Sequence, residues 1–402
     1  MSQETEGIRP EEQQIPYTAL NSQQKKQRLR ELAVVFLKLG TIAFGGPAAH
    51  IAMMDDEVAK RRQWMSREKL LDLLGVTNLI PGPNSTELAI HIGYERAGWR
   101  GLIIAGTCFI LPAMSIVWVL AIAYKQYQTL PQAEGLLYGI KPVIIAIVLQ
   151  ALWKLGQKAI KDVPTGIVAV AVIVAFFFGW DEIVLLLLAG LSVMLVKSLG
   201  RSRGNAAAWL LPLSLPLAQA GHTTPTPPVG WLNVFLFFLK IGSVLYGSGY
   251  VLLAFLQRDL VERNQWLTSQ QLLDAVAIGQ FTPGPVFTTA TFIGYLLAGH
   301  AGAIAATIGI FLPAFVLVGI INPWVPKLRQ STLVGGFLDG VNAASLGLMA
   351  VVSYTLGRTA LIDIVTVVLA IVSAIAVFRF KINSAWLVLA GGIIGLILQL
   401  VR

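Results

Sequence analysis

The chain contains one sequence pattern twice, and this duplication limits its fold more than any other feature. FLKLG at 36–40 recurs as FLKIG at 238–242, and the PGP triplet at 81–83 recurs at 283–285, both at a shift of 202 residues. From IGY at 92–94 onward the shift is 201. Chance similarity between apolar segments pairs Leu with Leu, but it does not keep Lys, Gly and Pro in one register. The pattern predicts one repeat at 31–198, a linker at 199–232 and a second repeat at 233–402.

The composition indicates an integral membrane protein. The 402 residues are 55% hydrophobic and only 13% charged, with a mean hydropathy of +0.71, whereas charged residues make up about 25% of a soluble domain. Several apolar runs are shorter than the ~20 residues that span a bilayer upright. Residues 1–30 are polar, lack the apolar core of a cleaved signal and are interpreted as a cytoplasmic tail. The expected fold class is all-α and multi-pass, with a linker that could itself cross the membrane.

Several function classes lack the residues they require. One cysteine, Cys108, and four histidines exclude an intrachain disulfide and a cysteine metal cluster, so no metal and no cofactor are predicted. The net charge of +9 is scattered beside apolar runs, where it signals topology and not nucleic-acid binding. No paired carboxylates or nucleophile motif indicates an enzyme, and no phosphate-binding GxxxxGK[ST] motif is present, so transport would draw on a gradient or a partner.

The Lys and Arg counts indicate how the repeats are oriented. In the first repeat, segments 54–72, 96–100, 154–161 and 197–203 carry 13 basic residues, and the alternating segments 124–141 and 180–182 carry 2. The positive-inside rule places the first set in the cytoplasm. In the second repeat the bias is 4 to 4. We therefore predict inverted repeats, a design in which secondary transporters place their substrate site near the midplane.

Glycine and proline interrupt the apolar runs at FGGP (44–47) and at both PGP triplets. Because 54–72 and 96–100 are predicted on the same side, the stretch between them is expected to dip into the membrane and return. Each repeat would then contain two broken or re-entrant hairpins and about four spanning helices. Non-helical backbone at membrane depth survives only where protein or a water-filled cavity satisfies it, so the breaks predict a cavity.

The residues after the first PGP triplet are typical of a helix start. Asn84, Ser85 and Thr86 are small and polar, and an acidic Glu87 follows in the first turn. Such a helix start offers free N–H groups to an anion. Glu87, which the second repeat replaces with Thr289, is assigned either to proton coupling or to a helix cap, and His91 is a second candidate proton carrier.

Two lysines occupy equivalent positions in otherwise uncharged runs. Lys38 and Lys240 each precede a glycine-containing break by about two helical turns. A lysine inside the membrane costs ~2.5–3.5 kcal/mol on insertion scales and usually faces a cavity or a partner, although its long stem also allows it to reach the interface. Under pseudo-two-fold symmetry the two ammonium groups would approach one site and offer two positive charges. The segment 55–62, with three acidic and three basic residues, is interpreted as a solvated loop with local ion pairs.

The same residues resemble the signature of the chromate ion transporter family. The matching motifs are FLK at 36–38, FGGP at 44–47, RRQW at 61–64 and PGP at 81–83, and residues 233–320 look like a second copy. The resemblance covers nearly the whole chain and implies proton-motive export of the tetrahedral dianion chromate across a prokaryotic inner membrane. The second copy departs from the pattern, with Gly247, Ser248 and Gly249 where the first has GGP, which leaves open whether both copies contact substrate equally.

The favoured function is therefore chromate efflux by a secondary transporter with a cytoplasmic N-terminus. The alternatives are sulfate uptake or exchange, since sulfate has the same shape and charge, and a lipid-handling membrane protein. The expected partners are the anion and the lipid bilayer, with a homodimer left open. The predicted substrate-binding residues are Lys38, Gly45, Gly46, Pro81, Gly82, Pro83, Asn84, Ser85, Thr86, Lys240, Gly247, Ser248, Thr282, Pro283, Gly284, Pro285 and Thr288.

Overall fold

The chain folds into helices in both repeats. The computed structural model describes residues 16–128, 130–199, 229–246, 249–322 and 331–401, and within these ranges it contains no β-strand. The first repeat contains α1 (Ser22–Ile42), α2 (Gly46–Met54), α3 (Arg67–Thr77), α4 (Asn84–Tyr127), α5 (Pro131–Ala159), α6 (Val163–Phe177) and α7 (Glu182–Leu199). The second contains α8 (Trp231–Val244), α9 (Leu252–Phe255), α10 (Ser269–Phe281), α11 (Thr289–Ile321), α12 (Thr332–Ala360), α13 (Ile364–Arg379) and α14 (Ser384–Val401). The predicted all-α class with an internal duplication is confirmed.

Side-chain caps fix several helix starts. The Asn21 side chain accepts a hydrogen bond from the Gln24 backbone N–H, and the Gln24 side-chain oxygen accepts one from the Asn21 backbone N–H. α1 therefore begins at Ser22 and includes residues 22–30 of the predicted tail. Residues 1–15 of that tail and residues 200–228 of the linker lie outside the described residues. Asp162 and Asp363, which are equivalent in the two repeats, cap α6 and α13 in the same way.

The helices suit a bilayer in length and in surface. Six helical stretches among the described residues are long and apolar enough to cross a membrane. They are Asn84–Tyr127, Pro131–Ala159, Glu182–Leu199, Val286–Ile321, Thr332–Ala360 and Ser384–Val401. Large apolar side chains lie on the outer surface, including Phe178, Ile364 and Leu400 at about four-fifths exposure (78%, 82% and 79%). A water-soluble domain would not leave so much apolar surface uncovered, and the protein is therefore a multi-pass membrane protein.

Each PGP break is followed by a helical segment that reverses its direction. The backbone of α4 leaves helical geometry at Ala97 and Gly98, where Gly98 has φ +57°, and α11 does the same at Ala298 and Gly299. After the reversal, Gly101 lies directly against Gly93, so closely that a side chain on either glycine would meet the backbone of the other. A continuous helix would hold residues eight apart about 12 Å from each other. Residues 84–96 therefore run back alongside the helical segment that begins at Gly101, and re-entry of this hairpin into the membrane from one side stays a prediction of the charge pattern.

Helices of each repeat pack against helices of the other repeat in a reciprocal manner. α5 of the first repeat packs against α13 and α14 of the second, and α12 of the second packs against α6 and α7 of the first. α4 of the first repeat and α11 of the second also pack against each other. Contacts that recur with the two copies interchanged define a pseudo-two-fold relation.

Two charged segments differ in structure from their sequence interpretations. Lys141, counted as a loop charge in segment 124–141, lies within α5 and is buried. The segment 55–62 forms the expected local ion pairs, but residues Asp55–Arg61 are a π-helical stretch instead of a loop, and Glu57 within it is buried. The second repeat has the same feature at Leu256–Arg263, where Asp259 is buried. Both differences have one cause. A charged residue in the sequence predicts exposure to water only where the fold brings no counter-charge to it, and Lys141 and Glu57 each have such a partner.

Candidate functional site

The two PGP breaks lie where the repeats cross. The Gly82 N–H donates to the Leu245 carbonyl over 2.8 Å, and the Gly284 N–H donates to the Ala43 carbonyl over 2.9 Å. The shift of 202 residues converts one bond into the other. Each PGP break is therefore hydrogen-bonded to the residue that directly follows the first helix of the opposite repeat. The amides of Gly82 and Gly284 are therefore not free to bind an anion in this arrangement.

Both glycines are needed for conformation and for space. Gly82 has φ +141° and Gly284 has φ +89°, a backbone region that L side chains rarely adopt. A side chain on Gly82 would collide with Oε1 of Glu87. A side chain on Gly284 would lie 2.7 Å from the Ala113 methyl carbon and 3.3 Å from the Gly40 carbonyl oxygen. The missing side chain at Gly82 thus leaves space for the Glu87 carboxylate, and the missing side chain at Gly284 leaves space for Ala113 and Gly40 of the opposite repeat.

Glu87 is buried with no polar partner of its own. Its exposed fraction is 0%, and neither carboxylate oxygen has a hydrogen-bond partner among the described residues. The helix start at Asn84 has Pro83 in the cap position and no side-chain cap, so Glu87 does not complete a capping box. Tyr246 of the second repeat lies close enough for an electrostatic interaction. A charged carboxylate in such surroundings is costly, which distinguishes Glu87 from an ordinary structural acid.

Other polar groups near Glu87 also lack partners. The Thr86 hydroxyl is buried and forms no hydrogen bond within the described residues. His91 is fully buried, its Nδ1 lies 3.0 Å from Oδ1 of Asn322, and its Nε2 has no partner within the described ranges. Because the amide oxygen accepts, the neutral ring carries its proton on Nδ1 and leaves Nε2 able to accept one. The first two turns of α4 therefore hold several groups that can bind a proton or an anion.

His50 also belongs to this region, although no sequence motif marks it. Its Nε2 donates to the Ala43 carbonyl over 3.0 Å, and its Nδ1 lies 3.2 Å from the Ser85 hydroxyl. The ring thus joins the end of α1 to the start of α4, on the same carbonyl that receives Gly284. The second repeat has Leu252 at this position, so the brace exists in one copy only. A lone histidine in an apolar segment is too common a pattern to have predicted it.

The two glycines of the FGGP break at 44–47 have different surroundings. Gly45 has φ +104° and Gly46 has φ +76°, and α2 begins at Gly46 with Pro47 in its first turn. A side chain on Gly45 would point at Nδ2 of Asn383, a residue in the loop before α14 of the other repeat. Gly46 has open space on that side. This break also combines a strained backbone with a contact between repeats.

The two membrane lysines are paired with carboxylates. Lys38 Nζ lies 3.4 Å from Glu57 Oε1, and Lys240 Nζ lies 3.1 Å from Asp259 Oδ2. Both pairs span 19 residues and are equivalent in the duplication. Each lysine side chain is nearly half exposed, at 48% and 42%, whereas its acid is buried. The ammonium groups therefore face accessible space, but their charge is partly compensated within each repeat.

The second copy of the site is more fully satisfied. Thr282, Thr288 and Thr289 each donate a hydroxyl hydrogen bond to a backbone carbonyl three residues earlier. Gly247 and Ser248 lie outside the described residues. No group of three or more His, Cys, Asp or Glu residues that could hold a metal ion occurs in the described part of the chain. The unpaired polar groups thus concentrate in the first copy.

Comparison with known proteins agrees with this architecture. A family model described as chromate transporter matches residues 30–194 and again 232–396. A probable chromate transport protein of Synechococcus elongatus is 32% identical over 378 residues, covering 92% of this chain and 95% of the relative. Chromate transport proteins of Cupriavidus metallidurans and Pseudomonas aeruginosa are 32% and 30% identical, each covering more than nine-tenths of both chains. No solved structure matches the chain.

Proposed function

Because the chain belongs to the chromate transporter family, we propose that it is a secondary transporter that exports chromate across a prokaryotic inner membrane and draws on the proton-motive force. The observation that carries this proposal is the reciprocal crossing of the two PGP breaks next to buried, unpaired polar groups. Transporters with duplicated repeats bind substrate where broken helices of the two halves meet. The membrane potential, negative inside, favours outward movement of a dianion by about 4.6 kcal/mol per 100 mV.

The anion is proposed to bind between the breaks. Lys38 and Lys240 supply charge from the accessible side, and the helix start at Asn84 supplies backbone donors. The remaining contacts are assigned to the segments around the breaks, namely Gly45, Gly46, Pro81 to Thr86, Gly247, Ser248, Thr282 to Pro285 and Thr288. Anion binding by the Gly82 and Gly284 amides or by the Thr282 and Thr288 hydroxyls requires that these donors leave their present carbonyl partners. Glu87 and His91 are assigned to proton coupling because both are buried and have unpaired atoms.

Transport by the purified protein in proteoliposomes tests this function. Vesicles carrying a potassium diffusion potential should accumulate labelled chromate on the positive side, and protein-free vesicles should not. Excess sulfate tests the runner-up substrate, because sulfate has the same shape and charge. Accumulation of sulfate with exclusion of chromate would replace the proposed substrate, and failure to move either anion under any imposed gradient would reject the transport function.

The first prediction concerns the lysine charges. Lys38→Met is expected to weaken chromate binding about tenfold or more, because it removes an ammonium while keeping much of the stem, and Lys38→Arg should retain part of the affinity. Lys240→Met should give a parallel, smaller loss. Equilibrium binding of labelled chromate to purified variants measures this, alongside thermal stability.

A double variant controls for the Glu57 carboxylate, which loses one of its cationic partners in Lys38→Met and keeps Arg62 at 3.4 Å. Lys38→Met with Glu57→Gln removes both charges of the pair and leaves no buried acid uncompensated. Weak binding in both variants supports direct contact between the ammonium and the anion. Parent-like binding by Lys38→Met and Lys240→Met at equal stability would place the site elsewhere.

The second prediction concerns topology. We propose a cytoplasmic N-terminus and inverted repeats, supported by the charge bias of the first repeat and by the reciprocal contacts. Reporter fusions in the segment 54–72 and at Arg402 are expected to lie on opposite sides of the membrane. Finding both in the cytoplasm would replace the inverted arrangement with a parallel one. A homodimer also stays a prediction, to be checked from the mass of the detergent-solubilised protein.

A further inference from the structure

A buried ion pair joins the two repeats away from the lysines discussed above. Lys141 Nζ lies 3.0 Å from Oδ1 of Asp274, and the Tyr124 hydroxyl donates to Oδ2 of the same carboxylate over 2.8 Å. The lysine and aspartate side chains are only 8% and 3% exposed. Lys141 lies on α5 and Tyr124 on α4 of the first repeat, whereas Asp274 lies on α10 of the second. Two donors from one repeat thus converge on one acceptor from the other.

Fold stability alone gives little reason for this pair. Taking an ammonium and a carboxylate out of water costs about as much as their attraction returns, and apolar residues of similar volume serve as well or better. The duplication shows that the fold does not require it, because Asn342 is equivalent to Lys141 and the exposed Asp72 is equivalent to Asp274. Ionisable residues inside a membrane protein usually mark a pathway for substrate or ions.

The position of Asp274 links the pair to the second PGP break. α10 carries Asp274 and ends at Phe281, and the break follows directly at 283–285. The Gly284 N–H at that break is bonded to Ala43 of the first repeat. A displacement of α10 that opens the break would also withdraw the carboxylate from Lys141 and Tyr124.

We propose that Lys141 and Tyr124 form an oxyanion-binding site and that the Asp274 carboxylate competes with the oxyanion for these two donors. An ammonium and a phenol hydroxyl are both donors, and a carboxylate presents two acceptor oxygens much as one edge of a tetrahedral oxyanion does. The oxyanion replaces the carboxylate when α10 moves, and the returning carboxylate releases it. This inference rests on the proposed function and adds a specific binding step to it.

Removing the internal competitor should strengthen anion binding. Asp274→Asn keeps the size of the side chain but not its charge, so purified protein should bind labelled chromate and sulfate about tenfold or more tightly than the parent. Turnover in proteoliposomes should fall, because the group that releases the anion is gone. Lys141→Met should weaken binding about tenfold or more.

Two further variants separate binding from folding. Lys141→Met with Asp274→Asn leaves no buried charge unpaired, so it should keep parent-like thermal stability while binding the anion weakly. Lys161→Met removes an ammonium from another ion pair between the repeats, in which Lys161 Nζ lies 2.6 Å from Asp339 Oδ1, and it should bind like the parent.

The outcomes distinguish this inference from the proposed function. If the parent protein binds neither chromate nor sulfate, the proposed function fails. If the parent binds but Asp274→Asn has equal or lower affinity, or the double variant transports at the parent rate, the pair is structural and the inference fails.

Discussion

Replacing Gly284 with valine is expected to abolish chromate transport and to lower the melting temperature. The substitution places a β-branched residue at φ +89°, which costs about 1–3 kcal/mol, and it forces a side chain against Ala113 of the other repeat. Both effects pull apart the crossing at which Gly284 bonds Ala43. Initial rates of uptake into proteoliposomes, measured at equal amounts of inserted protein, should fall by about two orders of magnitude.

Gly82→Val and a strain control refine this prediction. At Gly82 the new side chain meets the end of the Glu87 side chain, which can move, so transport should be lost with a smaller change in melting temperature. Gly299→Val introduces comparable backbone strain at φ +62° but has open space around the new side chain. It should therefore lose stability without a matching loss of turnover per folded molecule. Parent-like transport by Gly82→Val and Gly284→Val would show that the breaks do not form the path.

Glu87→Gln is expected to remove the response of transport to a pH gradient while leaving the response to membrane potential. Glutamine has the same shape but cannot bind and release a proton, and the buried Glu87 carboxylate has no hydrogen-bond partner among the described residues whose loss would disturb folding. One pH unit supplies about 1.4 kcal/mol per proton, so coupling to one proton changes the steady-state accumulation ratio about tenfold in the parent. The variant should show no such change when the potential is clamped with valinomycin.

Glu95→Gln is the matched control for this experiment. Glu95 lies two turns further along α4 and is paired with Lys69 at 3.3 Å near the surface, so its replacement should preserve the pH response. A pH response that survives in Glu87→Gln would remove Glu87 from the coupling mechanism and leave His91 as the next candidate. Chromate binding at fixed pH, measured in both variants, shows whether either substitution disturbs the site itself.

The helical class, the duplication and the position of the breaks follow from sequence because they depend on local chemistry. Proline at 81 and 83 lacks an N–H, and Gly82 adopts a conformation closed to other residues, so the break is encoded where it occurs. The reversal at Gly98 follows only indirectly from the sequence, because the basic segments 54–72 and 96–100 are predicted on the same side of the membrane. A more direct signal was present, since the Gly93 and Gly101 pair recurs as Gly294 and Gly302.

The partners of charged residues depend on tertiary structure and were harder to predict. Lys141 was treated as a loop charge because its counter-charge lies on another repeat, 133 residues away in sequence. The Lys38 and Glu57 pair was accessible in principle, because the duplication preserves a lysine and an acid 19 residues apart in both copies. The role of His50 could not be inferred, since its two partners, the Ala43 carbonyl and the Ser85 hydroxyl, become neighbours only in the folded chain.

The exchanged hydrogen bonds at the breaks have a consequence for assembly. A first repeat made alone would leave the Gly82 N–H and the Ala43 carbonyl without their bonds to Leu245 and Gly284, in surroundings that offer little water. Neither half is complete until it meets its complement, so the two halves expressed as separate polypeptides should be degraded individually and recovered together as a stoichiometric pair. Fusion into one chain then guarantees that every molecule synthesised carries its own complement.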